Sequence, residues 1–265
     1  MFYSLAVSIS ARSAVPDQQL EIVDLRTSRD EKLLEEICSG LYEQSFPFEE
    51  EREDLGFWRE NLWDSRPGSL VVHFLVAGRE LRDDRGREVV GFIGTEYYPE
   101  SRVGLITYIA VAPEWRGRGV GRELMDAAFR ALANDARAAA RKLRAVFAEI
   151  HEPSRIAPIA DSIPPRDRVA IMARYGGKRV PIPYVQPALG EGRDRVYGLM
   201  LVAFPARRRN FARRKSVEKM PADTVSRFLR ELYCASHDVR EDDEDFSRML
   251  NALTGDLELE ELVHE

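Results

Sequence analysis

Residues 115–122 read WRGRGVGR, and this short stretch constrains the chain more than any other. Gly117, Gly119 and Gly121 stand at alternate positions among Arg116, Arg118 and Arg122. Each glycine has more backbone freedom to lose on folding than any other residue, so such a run is poor as strand or helix interior. What flanks it gives it a use. Before it, VGLITYIAV at 103–111 is rich in β-formers and ends at Pro113; after it, ELMDAAFRALANDARAAARK carries Leu124, Met125, Ala128, Phe129 and Leu132 on one helical face. A strand that passes through glycines into a helix start makes an anion site. The first helical N–H groups lack intrahelical partners, the helix dipole favours negative charge there, and glycines leave no Cβ in the way of a phosphate. The flanking arginines add positive charge. The segment is therefore expected to cradle a pyrophosphate.

Other phosphate loops are excluded by spacing. A P-loop needs Lys and then Ser or Thr after its last glycine, where Arg122-Glu123 stands instead. The dinucleotide fingerprint needs G-x-G-x-x-G, and this segment runs G-x-G-x-G.

The rest of the chain alternates strand-like and helix-like patterns. LEIVDL near residue 20 reads as a first strand, followed by Ser28 and Glu31 at capping-box spacing and a helix ending near Phe46-Pro47. LGFWRENLW reads as a short second helix. Strand-like runs cover 70–78 and 88–97, joined by a hairpin-like connection, and LRAVFAEIH at 143–151 is a further buried strand. A helix is expected over about 166–175, then strand-like RVPIPYV and VYGLMLVAF. From Ala206 the character changes to a basic run (ARRRNFARRKS), a helix from Ala222 to about Ala235, and an acidic run (REDDEDF). The expected organisation is an N-terminal tail or extra strand over 1–19, an α/β domain over 20–205, and a helical extension appended over 206–265.

With 265 residues the chain can bury a substantial core. A formal net charge of −6 argues against nucleic-acid binding, which favours a basic domain. Cys38 and Cys234 are far apart and have no metal-ligand spacing, which points to a reducing, cytoplasmic setting without a structural metal. No apolar run reaches the ~20 residues needed to span a bilayer.

Ile109-Ala110-Val111-Ala112-Pro113 followed by Arg116-Gly117-Arg118-Gly119-Val120-Gly121 resembles the signature of the GCN5-related N-acetyltransferase (GNAT) superfamily, R/Q-x-x-G-x-G/A after a strand of the form apolar-x-V-x-P. The element order from about 20 to 204 agrees with that resemblance. It implies an α/β GNAT fold, a mixed twisted sheet flanked by helices, here with a C-terminal helical extension. It implies acetyl-coenzyme A, or a longer acyl-coenzyme A, as co-substrate. By analogy the backbone of Arg118, Gly119, Val120, Gly121 and Arg122 would bind the pyrophosphate, with Arg116 and Gly117 beside it. Ile109, Ala110 and Val111 would pair with the pantetheine arm, on a strand splayed from its parallel neighbour at 143–151.

The activity implied is transfer of an acyl group to a primary amine by direct attack. Three residues are candidates for the base: Glu149 and His151, which share a strand face with Phe147, and Glu96 on the strand before. The family's tyrosine acid has no direct counterpart. Aligning Gly176-Gly177 with the family's G-F pair puts Met172 in that place, and Tyr175 lies about 300° round the helix from it. The acceptor, a small amine or a peptide, is expected between Tyr42–Trp63 and the loop 181–198, with the acidic stretch 49–54 attracting a cationic amine. Two other readings stay open: fatty acylation of a lysine or ornithine side chain in a peptide, on a vaguer likeness to acyltransferases of ribosomal peptides, and a non-catalytic acyl-coenzyme A sensor. The extension could cover an acyl chain, recognise a peptide or form a homodimer contact.

Overall fold

The computed structural model describes residues 20–64, 68–155, 163–190, 192–204, 218–236 and 242–262. The N-terminal tail and the basic run at 206–216 lie outside them. Ten strands are described: β1 (Glu21–Asp24), β2 (Val71–Arg79), β3 (Glu88–Tyr98), β4 (Val103–Val111), β5 (Ala145–His151), β6 (Lys178–Arg179), β7 (Leu199–Phe204), β8 (Lys219–Pro221), β9 (Asp256–Glu258) and β10 (Glu260–Glu261). Eight form one sheet in the order β1-β2-β3-β4-β5-β7-β6-β10, and β8 pairs with β9. The helices are α1 (Leu25–Ser28), α2 (Glu31–Ile37), α3 (Glu43–Ser45), α4 (Leu55–Trp63), α5 (Val120–Ala138), α6 (Pro165–Arg174), α7 (Ala222–Ala235) and α8 (Glu244–Asn251).

Strands β1 to β4 form an antiparallel meander, and β4 and β5 are parallel, joined through α5. A parallel pair needs such a crossover, and the long apolar stripe of α5 makes it. Leu124, Met125, Ala128 and Leu132 pack with Val146, Ala148 and Ile150 of β5 in one cluster, which also takes Val169 and Met172 of α6. The opposite sheet face is covered in two halves. Helices α1 to α4 bury Leu33, Ile37, Trp58 and Leu62 against Phe74 and Phe92 of β2 and β3. Helix α7 lays Phe228, Leu229 and Tyr233 against Phe147 and Leu201 of β5 and β7.

The first helix starts differently from the pattern expected. Ser28 and Glu31 form no capping box. Residues 25–28 make a separate helical turn ended by Arg29 in the left-handed conformation (φ 54°), and Asp30 caps α2 by accepting from the Leu33 N–H at 2.9 Å. Between α2 and α3 the rod passes through a π-helical turn at Cys38–Tyr42, and Tyr42 is buried. RVPIPYV is also mostly not strand. Pro181 and Pro183 lack the N–H a ladder needs, so β6 ends at Arg179 with one further bond from the Val180 N–H to the Leu201 carbonyl at 2.9 Å, and 181–185 continues as irregular backbone with Ile182 and Tyr184 buried.

The described residues of the C-terminal extension pack against the α/β core. β10 extends the main sheet, pairing Glu260 with Arg179 and Glu261 with Lys178. The Phe228 ring of α7 meets Tyr98 and Phe147 at centroid distances of 5.3 and 5.0 Å. Arg195, in the loop before β7, holds Asp243 at the start of α8 through two charge-assisted hydrogen bonds, with both side chains buried. The apolar stripe of α7 is long enough to need a partner surface, and the β5–β7 face supplies one.

Candidate active site

The glycine segment opens α5 as its spacing demands. Gly117 and Gly119 both have positive φ, 75° and 91°, and Gly119 is the N-cap. A Cβ at either position would meet nothing within 4 Å, so the backbone here faces open space. Gly121 serves a different end. Its φ is not positive, but a Cβ there would come 3.2 Å from the Tyr175 hydroxyl, so glycine allows α6 to close over the start of α5. The Arg122 N–H already donates to the Gly119 carbonyl at 2.9 Å. The helix-start donors ahead of the first i−4 bond are therefore best represented by Val120 and Gly121. Arg118 turns its guanidinium onto the Trp115 ring, 5.0 Å from the centroid, and Arg116 Nε bonds the Val111 carbonyl at 3.1 Å.

Strand β4 carries a bulge. Ile106 pairs with Thr95 and Tyr108 with Gly94, leaving Thr107 as the extra residue. The bulge shifts the alternation: Leu105 and, beyond it, Tyr108 and Ala110 face the same side, although an unbroken strand would put them on opposite sides. The parallel pairing with β5 ends at this point too, at Ile106 and Ala148. From there to Val111 and His151 the two strands part. In the opening between them lies a cavity of about 490 Å3, walled by Thr107, Ile109, Ala110, Val111, Gly117, Gly119, Val120, Gly121, Arg116, Arg122, Met172 and Tyr175. The expected cofactor-binding residues meet along this one cleft; Arg118 lies beside it. Tyr175 lines the cleft with its hydroxyl at the α5 start, away from the bulge.

A second cavity, of about 100 Å3, lies on the other side of the parting between the α1–α4 and α7 halves. Its wall includes Phe46, Glu51, Glu53, Phe57, Glu96, Tyr98, Tyr108, Glu149, His151 and, from α7, Leu232 and Ala235. Phe46, Thr107, Tyr108, Glu149 and Arg168 line both cavities. Glu149 is the carboxylate common to both among the described residues.

The three candidate bases stand in different surroundings. Glu149 accepts from the Tyr184 hydroxyl on one oxygen and from Gln186 Nε2 on the other, at 2.9 Å for the amide. Burial nevertheless pushes its pKa up, against the effect of those two bonds. Glu96 accepts from the Tyr98 hydroxyl at 2.5 Å; burial, aided by the charge of Glu149, raises it to about 7. His151 bonds Glu51 through Nε2 at 3.0 Å, and its buried Nδ1 has no partner. A fourth acid joins them. Glu53 is pushed up to about 8 by burial and by the charge of Glu96. The Tyr42 and Tyr108 hydroxyls hold its backbone, accepting from the Glu53 N–H at 2.9 and 3.2 Å, and Tyr108 also donates to the Glu51 carbonyl. The aromatic residues thus pin two carboxylates over β4.

Sequence reasoning put the acceptor region at Tyr42–Trp63 and 181–198, and cavity residues come from both. Of the aromatics in those stretches, Phe46 and Phe57 line the cavity and Tyr184 bonds Glu149, whereas Trp58 is core and Tyr197 lies exposed, bonded to Asp245. The bulge at Thr107 was not expected; a part for the C-terminal extension in acceptor recognition was one of the open readings, without the residues that line the cavity. A bulge leaves no compositional mark here, and a helix as far downstream of β5 as α7 announces its partner only by an apolar stripe.

A splayed parallel strand pair with a glycine-opened helix at its mouth and an acid-lined cavity behind it is the architecture of an N-acyltransferase that uses coenzyme A thioesters. Residues 36–157 match the model of the acetyltransferase (GNAT) family, which supports membership of the GNAT superfamily. That family uses acyl-coenzyme A, typically the acetyl form, as co-substrate and acts on amines. No curated protein matches the chain in sequence. Among solved structures, the chain is similar to a tandem GNAT protein from the clavulanic acid biosynthesis pathway (20% identity, 63% of this chain and 46% of that one, TM-score 0.45). It is also similar to a GNAT acetyltransferase from Staphylococcus aureus (13%, 70% and 98%, TM-score 0.43). A third is the ribosomal-protein-S18-alanine N-acetyltransferase from Escherichia coli (14%, 72% and 97%, TM-score 0.42). No described helix is long and apolar enough to cross a membrane.

Proposed function

We propose that the chain transfers an acyl group from coenzyme A to the primary amine of a cationic acceptor, with Glu149 as the base. The observation that carries this reading is the meeting of the two cavities at Glu149. The larger cleft suits the thioester. The open backbone at Gly117 and Gly119, the donors of Val120 and Gly121, and the side chains of Arg116 and Arg122 fit a pyrophosphate. The edge of β4 left by β5 at Ile109, Ala110 and Val111 fits an extended amide-bearing arm. Bound acyl-coenzyme A supplies an activated acyl carbon.

The chain's own groups do the remainder. The acidic cavity draws in an ammonium and holds it beside Glu149. An amine must lose a proton to attack, and a carboxylate with a raised pKa accepts one readily near neutral pH. The acceptor nitrogen then bonds the acyl carbon, the carbon–sulfur bond breaks, the sulfur departs with the electron pair, and the nitrogen's second proton passes to the thiolate or to solvent. A backbone N–H on the freed edge of β4 donates to the acyl oxygen, in this reading, as charge builds on it. No tyrosine acid is required, because a thiolate is a stable leaving group.

The test is release of free thiol when acetyl- and longer acyl-coenzyme A are supplied with a panel of small amines and lysine peptides. Gly119→Glu should abolish both binding and release, since a carboxylate would then fill the anion cradle. Coenzyme A binding without thiol release from any pair in the panel would favour the sensor reading instead.

A further inference from the structure

We propose that the acceptor carries a second cationic centre besides the amine that is acylated, as a short aliphatic diamine does, and that Glu53 holds that second charge. The inference rests on the amine-acyltransferase reading above and names the substrate class of the same site.

Four carboxylates line one cavity of about 100 Å3: Glu51, Glu53, Glu96 and Glu149. Three of them have partners inside the protein. Glu149 is bonded by Tyr184 and Gln186, Glu96 by Tyr98, and Glu51 by His151. The Glu53 carboxylate accepts no hydrogen bond and forms no ion pair among the described residues. Arg193 acts on Glu53 only through space, its Nη1 donating to the Glu49 and Arg52 carbonyls outside the cavity wall, and Arg168 is a further cation in the wall that is not among the charges acting on Glu53. His151 supplies an independent sign of a missing ligand. Its ring is nine-tenths buried in the wall of the same cavity, with Nδ1 unpartnered. Thr107 Oγ1, where the two cavities meet, is likewise buried without a partner.

One ammonium does not satisfy this cavity. The nitrogen that is acylated gives up two protons over the reaction and ends as a neutral amide, so a monoamine product carries no positive charge to set against the carboxylates. A second ammonium keeps its charge from substrate to product. Phe46 and Phe57 in the wall suit the methylene chain between two such charges, and the volume is several times the roughly 10–15 Å3 that one water needs. Glu53, raised to about 8 by burial and by Glu96, is largely protonated at pH 7. A cation placed against it would release that proton.

The experiment compares 1,4-diaminobutane with 1-aminobutane, and 1,5-diaminopentane with 1-aminopentane, using acetyl-coenzyme A. A charge-assisted contact to the distal ammonium should raise kcat/KM for the diamine by about 10- to 100-fold over the monoamine of equal length. In Glu53→Gln the ratio should shrink to within about threefold, mainly through the diamine KM. Calorimetry of the wild-type protein in two buffers of different ionisation heat should show proton release on diamine binding at pH 7, independent of whether the variant folds. Equal turnover of diamine and monoamine, or diamine binding without proton release, would overturn this inference and leave the acyltransferase reading standing. No thiol release with any amine would overturn both.

Discussion

Replacing Glu149 by glutamine tests the chemistry most directly, because the surroundings tolerate the change. The Tyr184 hydroxyl can go on donating to the remaining carbonyl oxygen. Gln186 now donates its Nε2 to Glu149, while its own Oε1 is buried with no partner. Turning that amide over lets Oε1 accept from the new NH2 group, so each hydrogen bond has a replacement. The fold should lose less than about 1 kcal/mol, a shift of under about 4 °C in Tm. Coenzyme A affinity should change little, since the phosphate cradle lies at the far end of the cleft. The rate should not survive so well. A positioned base contributes roughly 10²- to 10⁴-fold, or about 3–5 kcal/mol of barrier, and the variant has none at this place. The pH dependence sharpens the test. Because burial holds the Glu149 pKa up, the wild-type base fills its active form only as pH rises, so kcat should climb from acid pH toward neutrality. In Glu149→Gln the residual rate should follow the free amine alone, and the deficit should narrow above pH 9. Thiol release at saturating acceptor, measured from pH 5.5 to 10, gives both curves. Wild-type kcat with an unchanged profile in a folded variant would refute the assignment and move attention to Glu96 and His151.

Two further outcomes follow from the packing. His73 donates to Asp24 at 2.6 Å and to Asp135 at 2.9 Å; burial works against its charge, but these bonds outweigh it and raise the pKa to about 9. With the unfolded value near 6.5, this imidazolium stabilises the fold fully below pH 6.5, and the contribution is lost as pH rises through 9. The unfolding free energy from urea titrations should accordingly fall across that window by up to about 3 kcal/mol more in the wild type than in His73→Gln; parallel curves would show that the charge is not held there. Ala235, exposed at the end of α7 on the rim of the smaller cavity, marks where the extension reaches the acceptor. Ala235→Trp should raise the acceptor KM by about tenfold, a loss near 1.4 kcal/mol, and leave coenzyme A binding alone; an unchanged KM would mean that acceptors do not pass this rim.

Some of the molecule was legible in the chain because the information is local. A glycine's tolerance of positive φ and a helix start's unpaired N–H groups need no distant partner, so WRGRGVGR could be read as an anion cradle before any fold was known. The face shared by Phe147, Glu149 and His151 follows from strand alternation alone, and the stripe on α5 from helical periodicity. The bulge at Thr107 was not legible, because an extra residue in one strand exists only relative to its neighbour's register, and it reverses the parity that alternation predicts for Tyr108 and Ala110. The surroundings of Glu149 were beyond reach for a similar reason. Tyr184 and Gln186 lie 35 and 37 residues away, Glu53 and Glu96 on other elements, and a carboxyl's pKa depends on which charges and dipoles the fold stacks around it. The C-terminal residues show the same division. Their amphipathic helix could be read from the chain, but only the tertiary structure decided that its apolar face would close over β5 and β7 and that its end would form part of the acceptor cavity. A buried stripe states that a helix needs a surface, and the packing of the whole chain selects which one.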